Sequence, residues 1–212
     1  ISSAVIQKLS SEFSVATGKT LSYTGSSFDI SAYTLTLSGG GNFQSGGLNL
    51  NNASSKLLLN SITVDNVSTT SDSLGLDVDA NSTVTSLSVA NITPVSIASG
   101  KTLSGAITVS AGSIKLAEAG TLASSISMSG GVLDADESST VSGALTQSGD
   151  ITIDVADTKT LTYSGAAISL GANTLTLSGG GSLVSGGLTL NNASSKLLLN
   201  SITLDSANTS AD

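Results

Sequence analysis

A chain of 212 residues is long enough to bury a core, and its composition excludes several classes of protein. Seven lysines and no arginine stand against 15 acidic residues, and the net charge of −8 disfavours nucleic acid and anionic membrane surfaces as partners. The 23 glycines, the abundant Ser, Thr and Asn, and a hydrophobic content of 39% predict an ordered all-β protein with many turns rather than a disordered chain. No apolar run is long enough to cross a bilayer, so we expect no membrane insertion.

The first part of the sequence is repeated at its end. Residues 1–72 align with residues 141–212 without a gap, and 40 of the 72 pairs are identical. We therefore predict one continuous β-solenoid over 1–212, with a full super-repeat at 1–140 and the first half of the next at 141–212. Because the sequence begins and ends inside the pattern, we expect it to be an excerpt from a longer array, whose neighbouring repeats are its first partners.

A shorter period runs inside the super-repeat. Thr followed by an aliphatic residue recurs, and the aliphatic residues Val84, Leu103, Leu122 and Val141 follow one another with a constant period of ~19 residues. The next of the series, Leu161, comes one position later than this period. The spacing predicts a single-stranded parallel β-helix with about three short strands per coil of ~19–22 residues and roughly ten coils.

Apolar and polar residues alternate within each coil, which is typical of a strand with one buried face. The segment Ile151–Val155 shows this alternation clearly. In the continuous leucine run we expect Leu57 and Leu59 to face inward, which leaves Leu58 outward or at a corner. No segment has a helical period, so we predict almost no helix.

Two observations predict local irregularity. The spacing between Leu57 and Val84 is wider than one coil and indicates an insertion around residues 66–73. Pro94 lacks a backbone N–H and is therefore expected at a coil edge or in a turn.

Glycine and asparagine clusters predict the corners of the coils. The clusters at 39–41 and 179–181 fit tight corners between strands. The pairs at 51–52 and 191–192 fit turns in which Asn adopts left-handed backbone and hydrogen-bonds to its stacked neighbour.

Carboxylates are the main candidates for chemistry. Asp134, Asp136 and Glu137 lie close together in sequence, and because calcium prefers hard oxygen ligands they form a candidate calcium site. Two other interpretations stay open: paired acids for glycoside chemistry, and solvated acids on turns and outward strand faces. No other metal or cofactor is expected.

We do not expect an enzyme. A serine nucleophile needs a base, but the sequence has no His, and a polysaccharide-cleaving solenoid would need acids clustered with Lys, Arg or His on one face. Five of the lysines precede Leu or Thr-Leu, and such a repeated position predicts an architectural role at coil edges. They are Lys19, Lys56, Lys101, Lys159 and Lys196.

A binding face for ice or carbohydrate is the second hypothesis. Thr-x-Thr pairs at 34/36, 160/162 and 174/176 resemble those of ice-binding solenoids, although the coils at 102–104 and 121–123 do not keep the pair. Carbohydrate binding would be supported by aromatic platforms.

The few aromatic residues favour packing instead. Phe28 and Phe43 become Ile168 and Leu183 in the second copy, and this exchange of aromatic for aliphatic residues predicts positions in the core.

Two stretches carry a family resemblance: SGKTLSGAITVSAGSIKLAEAGTL at 99–122 and GLTLNNASSKLLL at 187–199. They resemble the passenger repeats of bacterial autotransporters and of large secreted adhesins of the filamentous-haemagglutinin kind. The resemblance implies a right-handed parallel β-helix, export to the bacterial cell surface, and a role in adhesion, in biofilm or as a stalk. That group shares no site motif whose residues could be matched here.

The functional hypothesis from sequence is a non-catalytic structural repeat region of a large secreted or cell-surface bacterial protein, acting as an elongated stalk or adhesin shaft. The alternatives are a binding face for carbohydrate or ice, and a polysaccharide lyase or hydrolase. A host or matrix glycan or protein is the expected external partner.

Overall fold

The computed structural model describes residues 5–209, and within that range the chain consists of short strands joined by turns, with no helix. Parallel strands stack coil upon coil through about ten turns, which confirms the predicted all-β parallel solenoid. No helix in residues 5–209 could cross a membrane.

The strands in chain order are, for the first half, β1 Val5–Ile6, β2 Ser11–Ser14, β3 Thr20–Ser22, β4 Phe28–Asp29, β5 Thr34–Ser38, β6 Asn42–Gln44, β7 Leu48–Leu50, β8 Lys56–Asn60, β9 Thr63–Thr69, β10 Gly75–Val78, β11 Ser82–Val89, β12 Ile92–Ile97, β13 Thr102–Val109 and β14 Ser113–Leu116. They are, for the second half, β15 Thr121–Leu122, β16 Ser125–Met128, β17 Val132–Ala135, β18 Ser139–Val141, β19 Leu145–Gln147, β20 Ile151–Val155, β21 Thr160–Tyr163, β22 Ile168–Ser169, β23 Thr174–Ser178, β24 Ser182–Ser185, β25 Leu188–Leu190, β26 Lys196–Leu199, β27 Thr203–Leu204 and β28 Ala207–Thr209.

Two long sheets run along the solenoid. The ten-stranded sheet takes one strand from each coil, in the order β2-β5-β8-β10-β12-β14-β17-β20-β23-β26. The fifteen-stranded sheet contains most of the other strands, and β22, β25 and β28 form a third, three-stranded sheet. In the middle of the fifteen-stranded sheet β9, β11 and β13 are single strands of seven or eight residues, whereas the flanking coils divide the same side into two shorter strands.

The coils differ in length, and the differences recur in the second copy of the super-repeat. Register partners in successive coils are 19 to 24 residues apart. Ser11 pairs with Leu35 and the equivalent Ile151 pairs with Leu175, so this long coil has the same length in both copies. The next coil is also equally long in both copies. The seven strand-to-strand steps from β2 to β20 therefore span one super-repeat of the sequence.

Aliphatic side chains stack in register to form the core. Leu37, Leu59 and Val78 are successive partners in the ten-stranded sheet, and each is fully buried. Leu57 is also fully buried while Leu58 is partly exposed, as predicted from the alternation. Leu57 and Leu59 each have a core neighbour in the coil before and in the coil after, so they lose contact with water on both sides.

The predicted insertion around residues 66–73 is wrong. Leu57 pairs with Leu76 of the next coil in the ten-stranded sheet, whereas Val84 pairs with Val64 in the fifteen-stranded sheet. The spacing between Leu57 and Val84 therefore joins two different sheets and does not measure a coil.

The predicted position of Pro94 is also wrong. It lies inside β12, where it pairs with Lys115 on one side and lies against Gly75 on the other. Gly75 has a φ of 82°, and a Cβ atom there would lie 1.8 Å from the carbonyl oxygen of Pro94. The proline is therefore accommodated opposite a residue without a side chain, in the interior of the sheet.

The first asparagine of each pair bonds between coils as predicted, but the left-handed backbone belongs to its partner. Asn51 Oδ1 accepts a hydrogen bond of 3.0 Å from the N–H of Ser31, and Asn191 Oδ1 accepts one of the same length from Gly171. Ser31 and Gly171 have φ values of 54° and 55°. The amide side chain thus fixes a left-handed turn in the preceding coil.

Three of the lysines end the same tight turn. Lys19, Lys101 and Lys159 each donate the backbone N–H to the carbonyl of an alanine earlier in the turn, over 2.9–3.0 Å. Lys56 and Lys196 instead begin strands β8 and β26. The single class of coil-edge lysines expected from the sequence is therefore two classes.

We predict that Thr158→Gly stabilises the protein. Thr158 has a φ of 64° at the turn position that Gly18 and Gly100 occupy with φ values of 72° and 71°. Relief of left-handed strain outweighs the entropy that glycine gains in the unfolded chain, so we expect about 0.5–1.5 kcal/mol more stability in urea unfolding. Thr160→Gly, in the adjoining strand, is the control and should destabilise; a loss of stability in both variants would contradict the interpretation.

Candidate functional site

Charged side chains are segregated between the two long sheets. On the fifteen-stranded sheet the charged strand residues are Asp29 and Asp65, and the strands from β11 onwards have none. The ten-stranded sheet carries seven. These are Glu12, Lys56, Asp77, Lys115, Asp134, Asp154 and Lys196. The solenoid therefore presents one charged side and one side of uncharged polar residues.

Two lysines pair with the three carboxylates of the candidate calcium site. Lys115 Nζ lies 3.3 Å from Asp134 Oδ2 and 2.9 Å from Asp136 Oδ2. Glu137 Oε2 lies 2.6 Å from Lys159 Nζ, so it engages a different partner. Among residues 5–209, no group of three or more His, Cys, Asp or Glu side chains is arranged to hold a metal ion. The calcium site stays a prediction, and a bound ion would have to displace these lysines.

Burial and charge pairing act in opposite directions on this cluster. Burial raises the pKa of Asp134, and the nearby Lys115 only partly offsets this effect. The hydrogen bond to Asp136 raises the pKa of Lys115. Asp134 also stacks directly on Asp154 in the next coil, which adds repulsion between like charges.

We predict that Asp134→Asn gains stability relative to the native chain as pH rises. A raised pKa in the folded state means that Asp134 contributes stability below its ordinary pKa and loses that contribution as pH rises through the folded value. We expect similar melting temperatures near pH 3 and an increase of about 1–3 °C for the variant at pH 7.

Asp136→Asn is the matched control, because it removes the negative charge that pairs with Lys115 and leaves only a neutral acceptor there. It should lower the melting temperature at pH 7 by a comparable amount. A lower melting temperature for Asp134→Asn at pH 7 would show that the ion pair with Lys115 outweighs burial.

A carboxylate that sequence reasoning missed holds a corner in each copy. Asp65 Oδ2 accepts hydrogen bonds from the N–H groups of Ser45 and Gly46 at 3.0 and 3.2 Å, and Asp65 Oδ1 accepts one from Ser45 Oγ at 2.9 Å. Asp205 holds Ser185 in the same way at 2.9 and 3.1 Å. The sequence contains a signal for this role, because an Asp stands two positions after the Ser-Ile-Thr stretch in both copies. These acids are occupied by structural hydrogen bonds.

An apolar cavity of about 420 Å³ lies beside the first described coils. Phe13, Tyr23, Phe28 and Phe43 line it, and Phe28 and Phe43 are themselves buried, which confirms their predicted core positions. Their rings pack with centroids 5.9–6.4 Å apart.

In the second copy, the residues equivalent to two that line the cavity are covered by the preceding coil. Ile153 and Tyr163, the equivalents of Phe13 and Tyr23, pair with Leu133 and Val141 of the preceding coil and are buried. The cavity therefore has the shape of a coil-packing surface.

Threonine residues stack along the uncharged side in a way that sequence triplets did not show. Thr102, Thr121, Thr140 and Thr162 are successive register partners on the fifteen-stranded sheet. The Thr-x-Thr pair at 34/36, in contrast, lies on the ten-stranded sheet. A comparison of Thr-x-Thr triplets between coils does not reveal this stacking, because only one threonine of each triplet is kept from coil to coil.

Comparison with models of known protein families, with characterised proteins and with solved structures gives no match to this chain.

Proposed function

We propose that the chain is a non-catalytic structural segment of a large secreted or cell-surface bacterial protein, where it serves as an elongated stalk or adhesin shaft. The observation that carries the proposal is the recurrence of the same irregular coils in the second copy of the super-repeat. Further copies would lengthen the rod without any new packing solution, because each coil contacts only its neighbours.

The dimensions suit a spacer. Ten coils separated by about 4.8 Å give a rod of roughly 43 Å, and each seven-coil super-repeat would add about 34 Å. Every strand of the ten-stranded sheet except the outermost two pairs on both sides, so the backbone is hydrogen-bonded along the rod. The resemblance to autotransporter and adhesin passenger repeats supports export and surface display.

The experiment is a length series. Asp212 is equivalent to Asp72 in the repeat, so a copy of residues 73–212 joined after Asp212 continues the pattern without a break. Small-angle scattering should show a longer particle, by about 34 Å per super-repeat, with an unchanged cross-section. The height of an epitope at the distal end above a surface that holds the other end should rise by the same increment.

One result would overturn the stalk proposal, and two others would favour the alternative functions. A compact particle that does not lengthen with added repeats would exclude a rod. Cleavage of acidic polysaccharide by the chain would favour the lyase or hydrolase alternative, and specific binding on a glycan array would favour the carbohydrate-binding alternative.

A further inference from the structure

The threonine column consists of Thr102, Thr121, Thr140 and Thr162. All four side chains are partly exposed, whereas the residue after each one is buried, so the column points away from the core. They occupy four successive coils, and parallel pairing sets the distance between them at about 4.8 Å.

A second row of small residues lies beside the column, two positions further along the chain in each coil, inside β13 in the first coil and directly after β15, β18 and β21 in the others. This row contains Ser104, Ala123, Ser142 and Ser164, and the hydrogen bonds of the last three to the preceding coil keep it in register. Residues two apart on a strand are separated by about 6.6 Å. Column and row therefore form a grid with one fixed period along the rod and another across it.

The hydroxyl groups of the column are not used inside the protein. Among residues 5–209, none of these four threonine hydroxyls forms a hydrogen bond with another protein group. The β-branched side chain has few rotamers on a strand, so both hydroxyl and methyl group are held in place before any ligand arrives. Little entropy is lost when such a surface binds.

The strand surface around the column favours an uncharged ligand. No charged residue lies on the strands of this sheet from β11 to β27. The charges nearest to it lie in the turns before these strands, where Lys159 pairs with Glu137 and Lys101, Glu118 and Asp157 are exposed. The same strands expose no aromatic ring, since Tyr163 is buried, so a sugar ring would find no platform on which to stack. A neutral, periodic ligand that needs only hydroxyl and methyl contacts fits best.

We propose that the threonine column and its neighbouring row bind the surface of ice. Ice is a rigid, uncharged lattice of water oxygens with a fixed repeat, so where the spacing of the coils matches that repeat, successive threonines stand in the same relation to the lattice. The contacts then add from coil to coil without a new ordering cost, as in any multivalent interaction. This binding function is additional to the stalk role and does not depend on it.

The test is incorporation of the purified chain into a slowly growing ice front, together with inhibition of ice recrystallisation. The test variant is Thr121→Lys with Thr140→Lys, which places two bulky charges in the column. The matched control is Thr152→Lys with Thr176→Lys, because these two threonines are also partly exposed and stacked on each other, but on the ten-stranded sheet. Circular dichroism and melting temperature establish that all proteins are folded.

We expect the native chain and the control to enter ice and the column variant to be excluded from it. Should either double variant unfold, Thr121→Lys is compared with Thr152→Lys instead. Exclusion of the native chain from ice would overturn the proposal, and so would equal loss in the two variants. Loss of neutral-glycan binding or of self-association in the column variant, with no effect on ice, would assign the surface to that other partner.

Discussion

Replacement of Gly105 by alanine is expected to destabilise the protein by about 3–5 kcal/mol, the largest loss we predict for a single methyl group. Gly105 has a φ of 129°, and a Cβ atom there would lie 1.7 Å from the carbonyl oxygen of Val84. The register of β11 and β13 shifts at this point, between Val84 and Ser86. Backbone must move in two coils to admit the methyl group, because the atom that it meets belongs to the backbone and not to a flexible side chain.

Gly100→Ala separates this clash from the cost of left-handed backbone alone. Gly100 has a φ of 71° in a turn, with no atom within 4 Å of the added carbon. We expect a loss of about 1 kcal/mol there. Urea unfolding measures both variants, and equal losses would show that the contact with Val84 is relieved without cost.

Leu59→Ala is expected to cost about 2–5 kcal/mol, whereas Leu199→Ala should cost about 1 kcal/mol or less. The two leucines occupy equivalent positions in the two copies of the sequence NNASSKLLLN. Leu59 is fully buried between Leu37 and Val78, but Leu199 is 57% exposed and, among residues 5–209, pairs with Leu177 alone. The difference between the variants therefore measures the coil that covers Leu59.

This pair of variants controls for sequence and for strand propensity at once. Denaturant unfolding at a single temperature gives both values. Similar losses in the two variants would mean that packing on one side of the strand already provides most of the stability.

The fold could be predicted because its main signals are local. Alternation along a strand fixes which residues face inward, and the prediction for Leu57, Leu58 and Leu59 was confirmed on that basis. The predicted short period between coils was also confirmed where Leu103, Leu122 and Val141 stack directly on one another. At either end of that series the register slips by two positions, which keeps the same face inward and therefore leaves no trace in the alternation.

The surface could not be predicted to the same extent, since it depends on which sheet each strand joins. Leu57 and Val84 belong to different sheets, and the spacing between them gave a false insertion. The threonine column depends on register between coils of unequal length, which triplet comparison does not contain. The lysine partners of the three candidate calcium ligands come from other coils, 19 to 22 residues away, and were missed for the same reason.

Stacking of parallel strands also determines how this rod would respond to force. The hydrogen bonds between coils run along the long axis of the rod, so tension on its ends loads the bonds of the outermost coil directly. A coil can detach while those below it remain paired, because each coil contacts only its neighbours. Each detached coil of 19 to 24 residues would release roughly 65–85 Å of extended chain. Under tension such a rod would yield one coil at a time, with longer steps at the longest coils, and would absorb mechanical work in a series of graded events.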